Sequence, residues 1–243
     1  MSTESICMEV KGLTKSFAGR TVVDNLSFSV KRGEVFGLLG HNGAGKSTTI
    51  EVMLGLKHAD AGGVEILGMN PVGNRKQIFE RVGVQLQASN YQSGIRVDEA
   101  CIQRAALYAK PKDYKELLMQ FGIAELEKSQ VTKLSGGERQ RLSVVLALIG
   151  SPEIIFLDEL TTGLDVAARR EVWRTLKALK EQGLTIFLTT HYMEEAEMLC
   201  DDICMIKNGK KVTEGSLQEI LENSPYEHLE EAYLWYMGEE IIL

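Results

Sequence analysis

The stretch best equipped for chemistry is Gly40-His41-Asn42-Gly43-Ala44-Gly45-Lys46-Ser47-Thr48. It fits G-x-x-x-x-G-K-[ST], the pattern of a phosphate-binding loop. Its glycines let the backbone curl until successive N–H groups point inward, where they can hold phosphate oxygens. A helix starting beside the lysine would add the partial positive charge of its N-terminus at the same place. Lys46 is then placed to reach β- and γ-phosphates, and Ser47 to ligate Mg²⁺ through its hydroxyl. The competing reading is a plain glycine turn. The flanks argue against it: residues 34–39 form a short apolar run that reads as a buried strand, and residues 48–56 read as a helix ending near Gly55.

Three more polar groups close apolar runs. Asp158 and Glu159 end the run from Glu153, His191 follows residues 185–190, and Gln87 ends residues 82–87. A carboxylate at the C-terminal end of a parallel strand stands where α/β folds bind ligands. There Asp158 suits an Mg²⁺ shell, and Glu159 suits a general base that polarises water. Taken singly, each also fits a plain role: a solvated acid, a strand-end glutamine, a structural histidine. Ser135-Gly136-Gly137-Glu138 matches the S-x-x-E capping box. It marks a helix start, and a helix start with two glycines and a hydroxyl is a good anion site.

The elements that must position these groups follow from periodicity. Residues 6–10, 21–23 and 26–30 alternate and read as short antiparallel strands, with turns at Ala18-Gly19-Arg20 and at Lys31-Arg32-Gly33. Residues 64–68 and 82–87 read as further strands, with a short helix over 74–82 between them. From Val97 to about Lys133 the spacing is helical, broken at Pro111, so a helical insertion of about residues 88–134 separates two strand-rich parts. The capped helix runs from Ser135 to Gly150. A helix over 167–182 lies between the strands at 153–159 and 185–190. A hairpin turns at Asn208-Gly209, and residues 216–243 form a helical tail in two pieces around Pro225.

Composition narrows the class. The chain has 243 residues, 44% hydrophobic and 25% charged, with a net charge of −7. That is ordinary for a globular protein able to bury a full core. The acidic balance argues against nucleic acid as a partner, since its binders carry a basic footprint. Cys7, Cys101, Cys200 and Cys204 are scattered with no C-x-x-C pair, which fits buried thiols in a reducing compartment. No apolar run has the roughly 18–20 residues of a membrane span, and the N-terminus lacks the basic and apolar segments of a signal peptide. Phe17, just before the first turn, reads as core from composition alone.

In this order, the phosphate loop, Gln87, Leu134-Ser135-Gly136-Gly137-Glu138-Arg139-Gln140, Asp158-Glu159, Gly163-Leu164-Asp165 and Thr190-His191 resemble the ATP-binding-cassette (ABC) family over essentially the whole chain. The resemblance implies an α/β fold: a mostly parallel P-loop core, an N-terminal antiparallel subdomain and a helical insertion, all within one nucleotide-binding domain over 1–243. It implies ATP held by Gly40 to Thr48 with Phe17 stacked on adenine, and Mg²⁺ held by Ser47, Gln87 and Asp158. Catalysis then falls to Glu159, His191 and Gln87. The signature residues Ser135, Gly136, Gly137 and Glu138 would meet ATP on a second cassette, with Asp165 in the D-loop between the two. Two identical chains closing head to tail around two ATP molecules are the expected assembly, on the cytoplasmic face of a membrane and attached to a separate permease.

Two residues depart from the family pattern. Leu160 stands where proline usually follows the glutamate, which loosens the D-loop backbone. Ile95-Arg96-Val97 stands where Leu-Thr-Val is common, beside the expected permease groove around Gln87 to Glu99. One cassette without a long coiled coil disfavours the translation-associated and chromosome-maintenance branches. The ending from His228 to Gly238 is similar to the "LE-x-x-F-L-x-x-x-G" tail of antibiotic exporters of the daunorubicin type. The rival class is a non-transport cassette acting on a cytosolic complex, and a nucleotide switch without turnover is disfavoured by Glu159.

Overall fold

A computed structural model describes residues 5–86 and 91–239. Two sheets carry the site. The first is antiparallel, in the order β2 (Arg20–Lys31), β1 (Ile6–Phe17), β4 (Ala61–Ile66). The second runs β5 (Val82–Gln85), β6 (Ile154–Asp158), β7 (Thr185–Thr190), β3 (Val35–Leu39), β8 (Asp202–Lys207), β9 (Lys210–Ser216). All its pairs are parallel except β8 with β9. Every residue of β3, β6 and β7 is buried, as expected of parallel strands covered on both faces.

Helices fill the connections. They are α1 (Lys46–Met53), α2 (Arg75–Phe79), α3 (Val97–Ala105), α4 (Tyr114–Gln120), α5 (Gly136–Leu148), α6 (Val166–Glu181), α7 (Met193–Leu199), α8 (Leu217–Glu222) and α9 (Leu229–Met237). The expected helical insertion is present, with α3 and α4 between β5 and α5. Two differences from the sequence expectation have local causes. The short strands expected at 6–10, 21–23 and 26–30 merge into β1 and β2, because Gly12 (φ 58°) and Asn25 (φ 51°) absorb left-handed kinks and the ladders continue past register shifts. Residues 193–199, left without an element by periodicity, form α7, too short to show a clear helical stripe.

Alternation along the parallel strands creates two cores. Phe36 and Leu38 of β3 point to one face with Phe156 and Phe187, whereas Val35 and Leu39 point to the other with Ile155, Leu157, Ile186 and Leu188. The first face also receives Phe28 from β2. Phe28 stacks on Phe36 and Phe187 at 5.1 and 5.8 Å between ring centres, and Phe156 lies 5.3 Å from Phe187. This aromatic group locks the antiparallel sheet onto the parallel one. The other face is covered by α5, α6 and α7, whose buried side chains include Leu142, Trp173 and Leu199. All four cysteines are buried and free.

At the end of the sheet opposite the phosphate loop, Glu34 is buried and accepts the Lys31 N–H at 2.6 Å. Desolvation, with Asp202 and Asp201 nearby, raises its carboxyl from 4.5 to about 7 against the pull of that N–H and the Lys31 ammonium. The folded chain therefore holds this proton longer than the unfolded one. Its contribution to stability is complete below pH 4.5 and is lost as pH rises to about 7. Glu34→Gln is expected to match the parent at pH 4.5 and to exceed it by about 1–2 kcal/mol at pH 8, after solvent screening. Urea denaturation at the two pH values checks this.

Candidate active site

The phosphate loop joins β3 to α1 at the C-terminal edge of the parallel sheet, and its shape comes from its glycines. Gly43 and Gly45 have φ of 81° and 110°, and a Cβ on Gly45 would sit 2.7 Å from the Val22 carbonyl oxygen. A cavity of about 290 Å³ opens here, lined by Val22, Asn42, Gly43, Gly45, Lys46, Ser47, Thr48 and Glu159. Gly40, His41 and Ala44 support the loop from behind: the carbonyls of Gly40 and His41 accept from Lys46 Nζ at 2.7 and 3.2 Å, and Ala44 is fully buried.

Adjacent strands bring the distant carboxylates to this loop. Asp158 ends β6, next to β7, which pairs with β3. Ser47 Oγ lies 3.2 Å from Asp158 Oδ1. Glu159 is nearly buried, has φ of 50°, and places Oε1 3.1 Å from Lys46 Nζ and 3.6 Å from His191 Nδ1. A non-glycine residue held in the left-handed region costs about 1–3 kcal/mol and is characteristic of functional positions. Leu160, in place of the usual proline, is buried in the core beneath this loop.

Two residues not singled out by sequence hold this pair in place. Thr189 Oγ1 donates to Asp158 Oδ1 at 2.6 Å and accepts the Glu159 N–H at 3.2 Å. Gln85 Oε1 accepts the Asp158 N–H at 3.1 Å. The available signal was a hydroxyl and an amide inside otherwise apolar, buried strands. Burial raises the Asp158 carboxyl, opposed by its hydrogen bonds from Thr189 and Ser47. A desolvated carboxylate beside a serine hydroxyl is an oxygen donor set that suits a hard cation. Among the described residues no cluster of three or more His, Cys, Asp or Glu is placed to hold a metal. Mg²⁺ does not require one, since it keeps several waters and binds through few protein groups.

The remaining expected residues lie apart. Phe17 does not line the cavity. Its ring is 39% exposed, with Lys57 Nζ 4.8 Å and Lys15 Nζ 5.3 Å from its centre, so the core assignment from composition is incorrect: the hairpin turn Ala18–Gly19 carries the ring to the surface. Ser135 and Gly136 are exposed at the N-terminus of α5, where the capping box forms as expected. Ser135 Oγ accepts from Glu138 N–H at 3.3 Å, and Glu138 Oε2 accepts from Ser135 N–H at 2.7 Å. Asp165 caps α6, accepting the Ala168 N–H at 2.9 Å. Gln87 lies outside the described residues.

A phosphate loop at the C-terminal edge of a parallel sheet, with an acid pair at the end of the strand two places away, defines a P-loop nucleotide hydrolase. The sequence matches the ABC transporter family over residues 23–162. It is 42% identical over 219 residues to the Nod factor export ATP-binding protein I of Ralstonia nicotianae, covering 88% of this chain and 68% of that protein. It is 41% identical over 227 residues to the protein of that name from Mesorhizobium japonicum, covering 91% and 66%. The chain thus spans about two thirds of the length of these relatives. A solved ATP-binding subunit of an ABC transporter superposes with a TM-score of 0.87 at 27% identity, over 95% of this chain and 99% of that one. An ATP-binding cassette in its ADP conformation shares the fold, with a TM-score of 0.82 at 21% identity over 97% of this chain and all of that one. This chain belongs to the ABC transporter family. It is an ATP-binding subunit that hydrolyses ATP to power transport, a class that works with membrane permease components.

Thr189 tests the geometry. Thr189→Val keeps the shape but removes the hydroxyl that donates to Asp158 Oδ1, while Asp158 keeps Ser47 and the Glu159 N–H keeps the Thr189 carbonyl at 3.1 Å; losing that bond costs about 0.5–1.5 kcal/mol. The expected outcome is a lower kcat with a smaller effect on ATP affinity, read by steady-state kinetics beside a denaturation curve.

Proposed function

We propose that this chain hydrolyses Mg²⁺–ATP between two copies of itself and drives an exporter on the cytoplasmic face of a membrane. The observation that carries the reading is the cluster of Lys46, Glu159 and His191 beside the Ser47–Asp158 pair. Lys46 donates to Gly40 O and His41 O and pairs with Glu159. Phosphate oxygens entering the loop compete for those contacts, and a lysine drawn to them releases Glu159 to act on water. Glu159 then accepts a proton as the water oxygen attacks the γ-phosphorus, and the bond from that phosphorus to the bridging oxygen breaks. His191 orients water and base, and Gln87 is assigned to the same water. Ser47, Asp158 and Gln87 would hold Mg²⁺, which supplies charge neutralisation on the phosphates.

The signature segment supports a shared site. Ser135 and Gly136 are exposed and do not line the cavity that holds Lys46. A second cassette arranged head to tail brings them, with Glu138, Gly137 and Asp165, to the opposite nucleotide, and ATP then favours the closed pair. Phe17, exposed and outside the cavity lining, is assigned to adenine, with Lys57 yielding one face.

Export is the direction named for the curated relatives. The permease is assigned to the helical insertion, where a cavity of about 340 Å³ is lined by Tyr91, Gln92, Ile95, Gln103 and Leu107 among others. Leu107 and Ile102 are 69% and 54% exposed there. Arg96 is a poorer probe than its position suggests, because it pairs with Asp98 at 3.1 Å and with Glu99 at 3.4 Å at the start of α3.

Two outcomes are expected. Glu159→Gln abolishes turnover, keeps ATP bound, and shifts from monomer to dimer mass in solution when ATP and Mg²⁺ are added; unchanged turnover removes Glu159 from the base role. Leu107→Ser keeps the hydrolysis rate of the isolated chain and weakens its association with the permease, read by co-purification from membranes. Equal loss of both refutes the placement.

A further inference from the structure

One face of α6 makes three contacts that the hydrolysis scheme does not use. Asp165, Arg169 and Trp173 are spaced four apart and so share one side of the helix. Asp165 caps the helix. The Arg169 guanidinium lies 4.5 Å from the centre of the Tyr192 ring, approaches Glu194 Oε2 at 3.8 Å, and has no hydrogen-bond partner for its buried Nε. Trp173 Nε1 donates to Glu195 Oε1 at 3.0 Å, with both residues buried. Tyr192 and Glu195 belong to the first turn around α7, directly after His191. The Tyr192 ring sits 4.2 Å from the His191 ring, at 37°, and its own N–H is anchored on Thr190 Oγ1 at 3.0 Å.

His191 needs such support. Its Nδ1 is buried without a hydrogen bond, and it stands 3.6 Å from Glu159 Oε1, beyond hydrogen-bond length. A ring fixed by no hydrogen bond at that nitrogen keeps its orientation through packing. Its aromatic packing partner among the described residues is Tyr192, and Tyr192 is itself held by a cation over its ring.

We propose that Arg169 and Tyr192 are positioning residues for His191, the guanidinium holding the tyrosine ring and the ring holding the imidazole toward Glu159. Helix α6 thereby carries the placement of Asp165 and its loop to the histidine, with Trp173 and Glu195 as a second anchor one turn further on. This rests on the role of His191 in hydrolysis given above.

The test uses the purified full chain with Tyr192→Leu, Arg169→Met, the double variant, Tyr192→Phe and His191→Ala. The readouts are kcat, the Kd for ATP measured without Mg²⁺, and the thermal unfolding curve. Tyr192→Leu and Arg169→Met are each expected to lower kcat roughly tenfold to a hundredfold, the range typical of a misplaced catalytic group, with Kd held within about twofold. The double variant is expected to lose no more than the worse single one, because both remove the same restraint. Tyr192→Phe keeps the ring and is expected to restore most of kcat. Multiplicative losses in the double variant, unchanged kcat in both singles, or a Tyr192→Phe loss equal to that of Tyr192→Leu each overturn the proposal. If Tyr192→Leu does not fold, Arg169→Met and Tyr192→Phe give the same decision. His191→Ala separates the two levels: full turnover in that variant overturns the role of the histidine itself, whereas lost turnover there with intact stack variants overturns only the positioning by Arg169 and Tyr192.

Discussion

A buried ion pair, Lys46 with Glu159 at 3.1 Å, is the contact around which the site is organised. Both side chains are less than a tenth exposed, so neither charge tolerates losing its partner. The lysine begins α1 and the glutamate follows β6, more than a hundred residues later. They meet because β7 lies between β3 and β6 and the three strands run parallel, which puts all their C-terminal ends on one edge. The same topology delivers His191 from the end of β7.

The carboxylates are held from behind by neutral groups rather than by further charges. Thr189 serves both Asp158 and the Glu159 backbone, and Gln85 holds the Asp158 backbone. Neutral hydrogen-bonding groups fix geometry without adding charge, and burial raises the Asp158 carboxyl. The aromatic group of Phe28, Phe36, Phe156 and Phe187 supplies the rigidity beneath, since it joins both sheets under the strands that end at the site. On the opposite face α6 and α7 pack side by side, and their contacts end at the histidine turn.

The cassette is divided between surfaces of different kinds. The cavity at the phosphate loop is lined by residues of one chain. The signature helix start, the exposed Val166 after the D-loop, Ile102 of α3 and Leu107 just beyond it face outward. Under the proposed function these exposed groups are where partners act, which fits a subunit whose work is transmitted through its surface.

Much of this was legible in the sequence because it rests on local rules. The phosphate loop, the capping box at Ser135 and Glu138, the Asn208-Gly209 hairpin and the buried parallel strands each follow from residue type and spacing over a few positions. The acid pair and the histidine were marked by polar residues closing apolar runs. Their mutual distances were not, since these depend on strand order, and strand order is set by how crossover helices pack. Thr189 and Gln85 escaped notice because a lone polar residue in a buried strand acquires a role only from what the neighbouring strand presents to it. Phe17 was misjudged as core because an aromatic residue before a turn packs inward or outward according to tertiary contacts alone. The Arg169–Tyr192–His191 stack belongs to the same category: it joins two helices whose relative placement no periodicity encodes, and only the packed structure brings those rings together.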